Sequence, residues 1–166
     1  MKMIRSVKIS DAESVSNIYN YYVSNSIATF EEEAVSPKEM ESRFDKNASD
    51  NLPWLVAEDG MGEVIAYAYA GKWSGRCAYK HSVEISVYLS HTVTSQGWGT
   101  RLYEALFTSL KELPIHVVIG GIALPNATSV ALHEKFGMQK VAHFNEVGFK
   151  FGKWIDVGYW QATIKA

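Results

Sequence analysis

One candidate for acid–base chemistry is a carboxylate on a predicted β-strand. The segment Ser82–Leu89 alternates apolar and polar residues, and successive residues of a strand point to opposite faces of a sheet. The strand is therefore expected to bury Val83 and Ile85 on one face and to place Glu84 on the other, polar face. A glutamate held there could take a proton from a reacting group. A solvated glutamate on the outer face of a strand would show the same pattern.

A second candidate follows this strand at a glycine-rich turn. Residues 94–100 read Thr-Ser-Gln-Gly-Trp-Gly-Thr and lead into a helix. Gly97 and Gly99 allow close approach of the backbone to a ligand, and the first N–H groups of a helix, together with its dipole, attract phosphate. The turn is neither a Walker A loop, since no Gly-Lys-Ser/Thr follows, nor a dinucleotide fingerprint, since its third glycine position is Leu102. It predicts an anion-binding helix start, although a turn without a ligand would use the same residues.

The elements that must position these two features begin with a strand and two helices. Residues 4–8 alternate like a short strand, and Ser10 with Glu13 forms a capping-box pattern for the first helix. The run Ser36-Pro37-Lys38-Glu39 is typical of the start of a second helix. Residues 26–34 are expected to form the loop between them.

The pattern in the rest of the chain predicts two further helices and, besides Ser82–Leu89, five further strands. Residues 54–58 and 64–72 form a hairpin, and the helix after Gly97 has an apolar stripe of leucines. The later elements are a strand at 117–123, a helix at 126–136 and two strands from Met138 onward, the last at about 154–164. The order β-α-α-β-β-β-α-β-α-β-β indicates a mixed α/β fold around one central sheet.

Composition limits the class of protein. The chain has 166 residues, 20% of them charged, with a net charge of −2, which suits one globular domain spanning residues 1–166. Its single cysteine, Cys77, cannot form an intramolecular disulfide, so a reducing cytoplasm is expected. Lysine and arginine are dispersed, which argues against a nucleic-acid partner. No apolar run approaches the ~20 residues that span a bilayer, so no membrane partner is expected.

Short motifs distributed from near Ile4 to near Gln161 carry a family resemblance. The chain resembles the GNAT superfamily of acetyltransferases, and within it the phosphinothricin and methionine sulfoximine N-acetyltransferases. The matching motifs are Ala28-Thr29-Phe30-Glu31-Glu32, Ala78-Tyr79, Val83-Glu84-x-Ser86-Val87-Tyr88, Gly97-x-Gly99, Leu124-Pro125-Asn126-x-x-Ser129, Leu132-His133-Glu134 and Gly148-Phe149-Lys150-x-Gly152-x-Trp154-x-Asp156-Val157-Gly158.

The resemblance implies the GNAT acyl-CoA N-acyltransferase fold, a mixed and mostly antiparallel central sheet flanked by helices. It also implies an enzyme that moves an acetyl group from acetyl-CoA to the amine of a small amino-acid-like substrate. Phosphinothricin, methionine sulfoximine and methionine sulfone are the acceptors of this type. Transfer would be direct, in a ternary complex without an acyl-Cys77 intermediate, and the enzyme would be a homodimer that needs no metal.

The resemblance further assigns site residues. Glu84 would be the general base, because an amine must lose a proton before it attacks a thioester. His133 stands where many relatives have a tyrosine that protonates the departing thiolate; it could also contact substrate, or be a helix histidine satisfied by its neighbours. Cofactor contacts are expected from Val87, Tyr88, Leu89, Ser95, Gln96, Gly97, Trp98, Gly99, Thr100, Asn126 and Ser129. Acceptor contacts are expected from Phe30, Glu32, Trp73, Arg76, Tyr79 and Lys150, with Arg76 foremost as the partner of a substrate carboxylate.

Several alternatives stay open on these residues. Asn126 and Ser129 are also the residue types that cap a helix, and the aromatic residues could serve core or dimer packing. Thr94 stands where the family's diphosphate loop has arginine or glutamine, which implies that a side-chain contact to the cofactor is lost or replaced. Phe151 replaces a histidine of the phosphinothricin enzymes. Rival functions are acetylation of polyamines or protein N-termini, and a non-catalytic acyl-CoA sensor.

Overall fold

A seven-stranded sheet forms the centre of the structure. The computed structural model describes residues 3–164, and the strand order in the sheet is β1-β2-β3-β4-β5-β7-β6. Among the described strands, only β4 and β5 pair in parallel. The strands are β1 (Met3–Ser6), β2 (Trp54–Glu58), β3 (Val64–Lys72), β4 (Ser82–Leu89), β5 (Val117–Leu124), β6 (Gln139–Lys150) and β7 (Lys153–Thr163).

Four α-helices cover the two faces of the sheet, in the predicted chain order. They are α1 (Ala12–Asn25), α2 (Pro37–Ser49), α3 (Trp98–Lys111) and α4 (Ala127–Lys135). Side chains of α1 and α2 pack with β2 and β3 in one apolar cluster, and α3 packs in a second cluster with β3, β4 and β5. The predicted stripe of α3 is confirmed, because Leu102, Leu106 and Leu110 are fully buried.

The two predicted helix starts have different outcomes. The cap of α2 is confirmed: the Ser36 hydroxyl accepts a hydrogen bond from the Glu39 N–H at 3.1 Å. The cap predicted at Ser10 is wrong, because a 3₁₀ turn (Ile9–Asp11) precedes α1. There the buried carboxylate of Asp11 accepts the Lys8 N–H at 2.7 Å and pairs with the guanidinium of Arg5 at 2.8 Å. The acidic side chain that reaches back to a preceding N–H is therefore Asp11 to Lys8, and not Glu13 to Ser10.

Two structural observations bear on partners. No helix between residues 3 and 164 is long and apolar enough to cross a membrane. Within that same part of the chain, no group of three or more histidine, cysteine, aspartate or glutamate side chains is arranged to hold a metal ion.

Candidate active site

The central geometric feature is a fork between the parallel strands β4 and β5. They pair only where Ser82, Val83 and Glu84 lie beside residues 117–119, and beyond Glu84 they diverge. On its other side β4 stays paired with β3 along its whole length, up to Leu89. The edge of β4 beyond Glu84 that faces β5 therefore lies outside the sheet ladder, and an opening forms between the two strands.

This opening, here called the fork cleft, has a volume of about 700 Å³. Its walls come from β4, the glycine-rich turn, α3, β5 and α4. Of the predicted cofactor contacts, Gln96 alone does not line it; the Gln96 carbonyl instead accepts a hydrogen bond from Arg101 at 3.3 Å. Those that line it are Val87, Tyr88, Leu89, Ser95, Gly97, Trp98, Gly99, Thr100, Asn126 and Ser129.

The start of α3 supplies anion-binding groups to the fork cleft. Gly97 has a φ of +81° and Ser95 a φ of 63°, so the turn uses the left-handed conformation that glycine adopts readily. The first helical hydrogen bond runs from the Arg101 N–H to the Gly97 carbonyl at 3.2 Å. The N–H groups of Gly99 and Thr100 precede it and have no acceptor within the helix. With the helix dipole, they favour a phosphate group at this end of the cleft.

One cation, absent from the predictions, reinforces this preference. Among the described residues that line the fork cleft, Lys135 of α4 alone carries a formal charge, and its Nζ lies 3.5 Å from the Thr100 hydroxyl. His133, also in the wall, is buried, and burial lowers its pKa. Sequence reasoning missed Lys135 because a lysine in the last turn of a helix normally complements the helix dipole.

A second, smaller pocket of about 410 Å³, here called the acceptor pocket, contains Glu84. It meets the fork cleft at Ala28, Gly121 and Ala123, which line both. A Cβ on Gly121 would lie 2.9 Å from the Tyr159 ring and 3.3 Å from the Glu84 carboxylate, so only glycine leaves the junction open. The remaining wall is apolar and consists of Ile27, Phe30, Phe144, Val147, Val157 and Tyr159.

The Glu84 carboxylate is half-buried, and burial raises its pKa above the usual range for glutamate. No other described residue donates a hydrogen bond that would hold its charge. A carboxylate without a protein partner at the meeting point of two pockets is available to a bound ammonium group.

His133 is held by neighbours on both ring nitrogens. Its Nδ1 lies 2.7 Å from the Ser129 carbonyl, which can only accept, so Nδ1 carries the proton. Its Nε2 lies 3.1 Å from the buried Tyr103 hydroxyl and accepts from it. The ring rests against Gly120, where a Cβ would lie 2.6 Å away. These bonds supply the partners that a structural histidine requires, and they leave it no free proton for a thiolate.

Lys150 lies outside the acceptor pocket. Its ammonium is buried and donates to the carbonyls of Ser26 and Thr29, both at 2.7 Å, and to that of Tyr22 at 3.4 Å. Burial lowers the Lys150 pKa. The lysine therefore fixes the loop that carries Phe30.

Of the predicted acceptor contacts, only Phe30 lines the acceptor pocket. Trp73 reaches its rim, where its ring meets the Tyr159 ring edge-on at 5.6 Å. Glu32, Arg76 and Tyr79 are exposed and line neither the fork cleft nor the acceptor pocket. The pocket residues that sequence reasoning missed include Phe144, Val147 and Tyr159 on β6 and β7. No local pattern indicates which face of those strands meets Glu84.

A family model described as an acetyltransferase (GNAT) domain matches residues 4–158. The chain belongs to the GNAT acetyltransferase family. Over 158 residues it is 39% identical to a phosphinothricin N-acetyltransferase of Streptomyces viridochromogenes, covering 95% of this chain and 85% of the relative. It is 33% identical over 161 residues to an L-methionine sulfoximine/L-methionine sulfone acetyltransferase of Pseudomonas aeruginosa, covering 97% and 94%.

Solved structures agree with the predicted GNAT fold, which is confirmed. A GNAT phosphinothricin acetyltransferase from Sinorhizobium meliloti, in complex with AcCoA, superimposes with a TM-score of 0.95 at 34% identity. The match covers 98% of this chain and 88% of the other. The fork between β4 and β5 is thus a feature of a GNAT acetyltransferase.

The raised pKa of Glu84 predicts a pH-dependent effect of Glu84→Gln on stability. Because folding raises the pKa, the protonated acid stabilises the fold at low pH, and this contribution is lost as the pH rises through the folded-state pKa. Glu84→Gln should therefore unfold at a higher temperature than the unmodified chain at pH 8, and the difference should shrink as the pH falls.

Thermal unfolding followed by circular dichroism between pH 4 and pH 8 measures this difference. Glu33→Gln, a change on the exposed part of the loop before α2, is the matched control and should show no such trend. Equal pH trends for the two variants would contradict the burial argument.

Proposed function

We propose that the protein transfers an acetyl group from acetyl-CoA to the amino group of a small amino-acid-like substrate of the phosphinothricin, methionine sulfoximine or methionine sulfone type. The names of the curated relatives support this acceptor class. The observation that carries the proposal is the position of Glu84, a carboxylate without a protein partner where the acceptor pocket opens into the fork cleft.

In this proposal the fork cleft holds acetyl-CoA. The N–H groups of Gly99 and Thr100 and the ammonium of Lys135 face its diphosphate, and the free edge of β4 from Val87 to Leu89 pairs with its pantetheine arm as an added strand would. When bound, the thioester supplies an activated acyl carbon. Lys135 takes over the side-chain contact that the family's diphosphate loop makes with the arginine or glutamine replaced by Thr94.

Glu84 would accept a proton from the substrate ammonium, and the freed amine would then attack the acyl carbon. The C–N bond forms and the C–S bond breaks. The attacking nitrogen gives up its second proton as it becomes an amide, and the departing thiolate takes up one proton to leave as the thiol. The direct route agrees with Cys77, which is exposed and outside both pockets. His133 was predicted to be a catalytic residue. Its two hydrogen bonds instead suit a structural role, in which it holds Tyr103 and α4 in the wall of the cleft.

The rival functions fit less well. A polyamine would need several acidic groups, whereas Glu84 is the one acid among the described residues in the wall of the acceptor pocket. A sensor would have no use for a carboxylate without a protein partner at the pocket junction. Acetylation of phosphinothricin-type compounds would give a cell resistance to them.

The acceptor is tested by thiol release from acetyl-CoA in the presence of methionine sulfoximine, methionine sulfone, phosphinothricin, spermidine or a peptide. The first three should be turned over and the last two should not. Glu84→Gln should retain acetyl-CoA binding by calorimetry and lose most of its turnover. Release with spermidine or peptide alone would favour a rival acetyltransferase, and binding without release would favour a sensor.

The role of Lys135 predicts a specific loss of coenzyme A affinity. Lys135→Gln removes one charge-assisted contact and should raise the Kd for coenzyme A by about tenfold at low salt. Calorimetry with coenzyme A and with its 3′-dephospho form should show the same ratio if the partner is the diphosphate. Lys111→Gln, at the other end of α3, is the control and should leave the Kd unchanged. A loss seen only with the 3′-phosphate present would place Lys135 elsewhere on the ligand.

We further propose that residues 1–166 act as one domain in the cytoplasm and assemble as a homodimer. The exposed aromatic residues at the β6–β7 turn, Phe149, Phe151 and Trp154, support the dimer. Phe149 and Trp154 have ring centroids 4.7 Å apart and form an apolar patch at β6, one of the two edge strands of the described sheet. Long apolar edges are commonly covered by another chain.

Analytical ultracentrifugation should therefore give twice the mass of one chain. Trp154→Glu should shift the protein to the monomer, since a charge in a dimer core is costly. Met61→Glu places the same charge on an exposed apolar residue of the β2–β3 turn and should leave the dimer intact. A monomeric unmodified protein would refute the dimer without affecting the proposed reaction.

A further inference from the structure

The strand β6 is interrupted beside the acceptor pocket. Phe144 lies opposite Val157 of β7, but the next paired residue, Gly148, lies opposite Ile155. Residues 145–147 of β6 therefore face the single residue Asp156 of β7, and they form what is here called the β6 bulge. Bulges of this kind re-aim side chains and are frequent next to active sites.

Asp156 holds the bulge from both ends. One carboxylate oxygen accepts the Glu146 N–H at 2.7 Å, inside the bulge, and the other lies 2.8 Å from His143 Nε2, before it. The Lys140 ammonium lies 2.7 Å from His143 Nδ1 and must donate to it, so Nε2 carries the proton given to Asp156. These contacts lower the Asp156 pKa and keep the carboxylate ionised.

The bulge needs this support because of its backbone conformation. Glu146 has a φ of 52°, a left-handed conformation that a residue with a Cβ adopts at a cost. Asp156 and His143 are both about one-third exposed, and an exposed hydrogen bond of this kind adds little to global stability. Their effect is therefore on local geometry.

The bulge also shapes the acceptor pocket. Phe144, at its start, and Val147, at its end, both line the pocket, and Phe144 packs edge-on against Tyr159 at 5.8 Å. Gly148, directly after it, lies beneath the Phe30 ring, where a Cβ would be 2.4 Å from the ring. The bulge thus sets the distance between the β6 wall and Phe30 on the opposite loop.

We propose that Asp156 and His143 are positioning residues that determine acceptor selectivity, by fixing the β6 bulge and with it the apolar wall formed by Phe144 and Val147. Neither residue lines the pocket or reaches Glu84. The choice of substrates rests on the proposed function, but the claim that Asp156 and His143 hold the β6 bulge can be tested without turnover.

The test is Asp156→Asn, which preserves size but replaces one accepting oxygen by a donor. Steady-state kinetics with L-methionine sulfone and phosphinothricin should show the ratio of the two kcat/KM values changed by about tenfold, mainly through the acceptor KM. The KM for acetyl-CoA should stay the same. Asp59→Asn is the matched control: its carboxylate also accepts backbone N–H groups, here from Met61 and Glu63, in an exposed turn remote from the pocket. It should leave the ratio unchanged.

Hydrogen exchange provides the second readout. Peptides covering the β6 bulge should exchange faster in Asp156→Asn than in the unmodified protein or in Asp59→Asn. His143→Gln, which keeps the Asp156 bond to the Glu146 N–H, serves if Asp156→Asn does not fold, and it should show both effects to a smaller extent. Adding Glu146→Gly to Asp156→Asn should restore part of the selectivity, because glycine adopts the positive φ without help.

Two results would overturn the inference: unchanged exchange in the bulge, or faster exchange with an unchanged selectivity ratio. If the unmodified protein acetylates neither acceptor, the proposed function fails instead. The exchange experiment then still decides whether Asp156 holds the bulge.

Discussion

The divergence of β4 and β5 beyond Glu84 is the constraint on which the rest of the site depends. Two parallel strands that separate after three paired residues leave backbone edges outside the ladder, and a ligand can supply the missing partners. Because the strands separate, the start of α3 lines the opening on one side, and the acceptor pocket joins the opening on the other side. The small residues Gly121 and Ala123 keep the junction between the two pockets clear.

Hydrogen-bond satisfaction separates structural polar groups from those available to ligands. Lys150 and His133 are both buried, and each has its polar atoms taken up by neighbouring residues. Glu84 has no donor among the described residues, and Lys135 makes a single long contact at the rim of the cleft. A buried polar group is costly unless it is bonded. The half-buried Glu84 therefore marks a place where a substrate group would complete the structure, whereas Lys135 is exposed and free to meet a ligand from solvent.

The two walls of the acceptor pocket are held in place by residues that do not themselves line it. Phe30 stands on a loop held by the Lys150 ammonium, and the facing wall stands on a bulge held by Asp156. Neither supporting residue lines the pocket. The two walls come from segments far apart in the chain, so their spacing depends on these contacts and on the close approach of Phe30 to Gly148.

The sequence by itself determined the order of elements, the polar face of β4 that carries Glu84, the buried stripe of α3 and the cap at Ser36. Each of these follows from local periodicity or from a bond between residues a few positions apart. The family could also be identified at this level, because its motifs are contiguous runs of residues. Local reasoning was wrong at Ser10, where a competing carboxylate, Asp11, formed the contact with the Lys8 backbone instead.

Only the tertiary structure decided which charged residues reach the two pockets. Arg76 was the foremost predicted partner for a substrate carboxylate and Lys150 another predicted acceptor contact, yet Arg76 is exposed away from both pockets and Lys150 is bonded to loop carbonyls. Lys135 and Asp156 gave no local signal, because their partners, Thr100 in another helix and the bulge in another strand, are brought to them by the sheet. The physical reason is that periodicity specifies which face of an element a residue occupies, whereas the partner on that face is set by long-range packing.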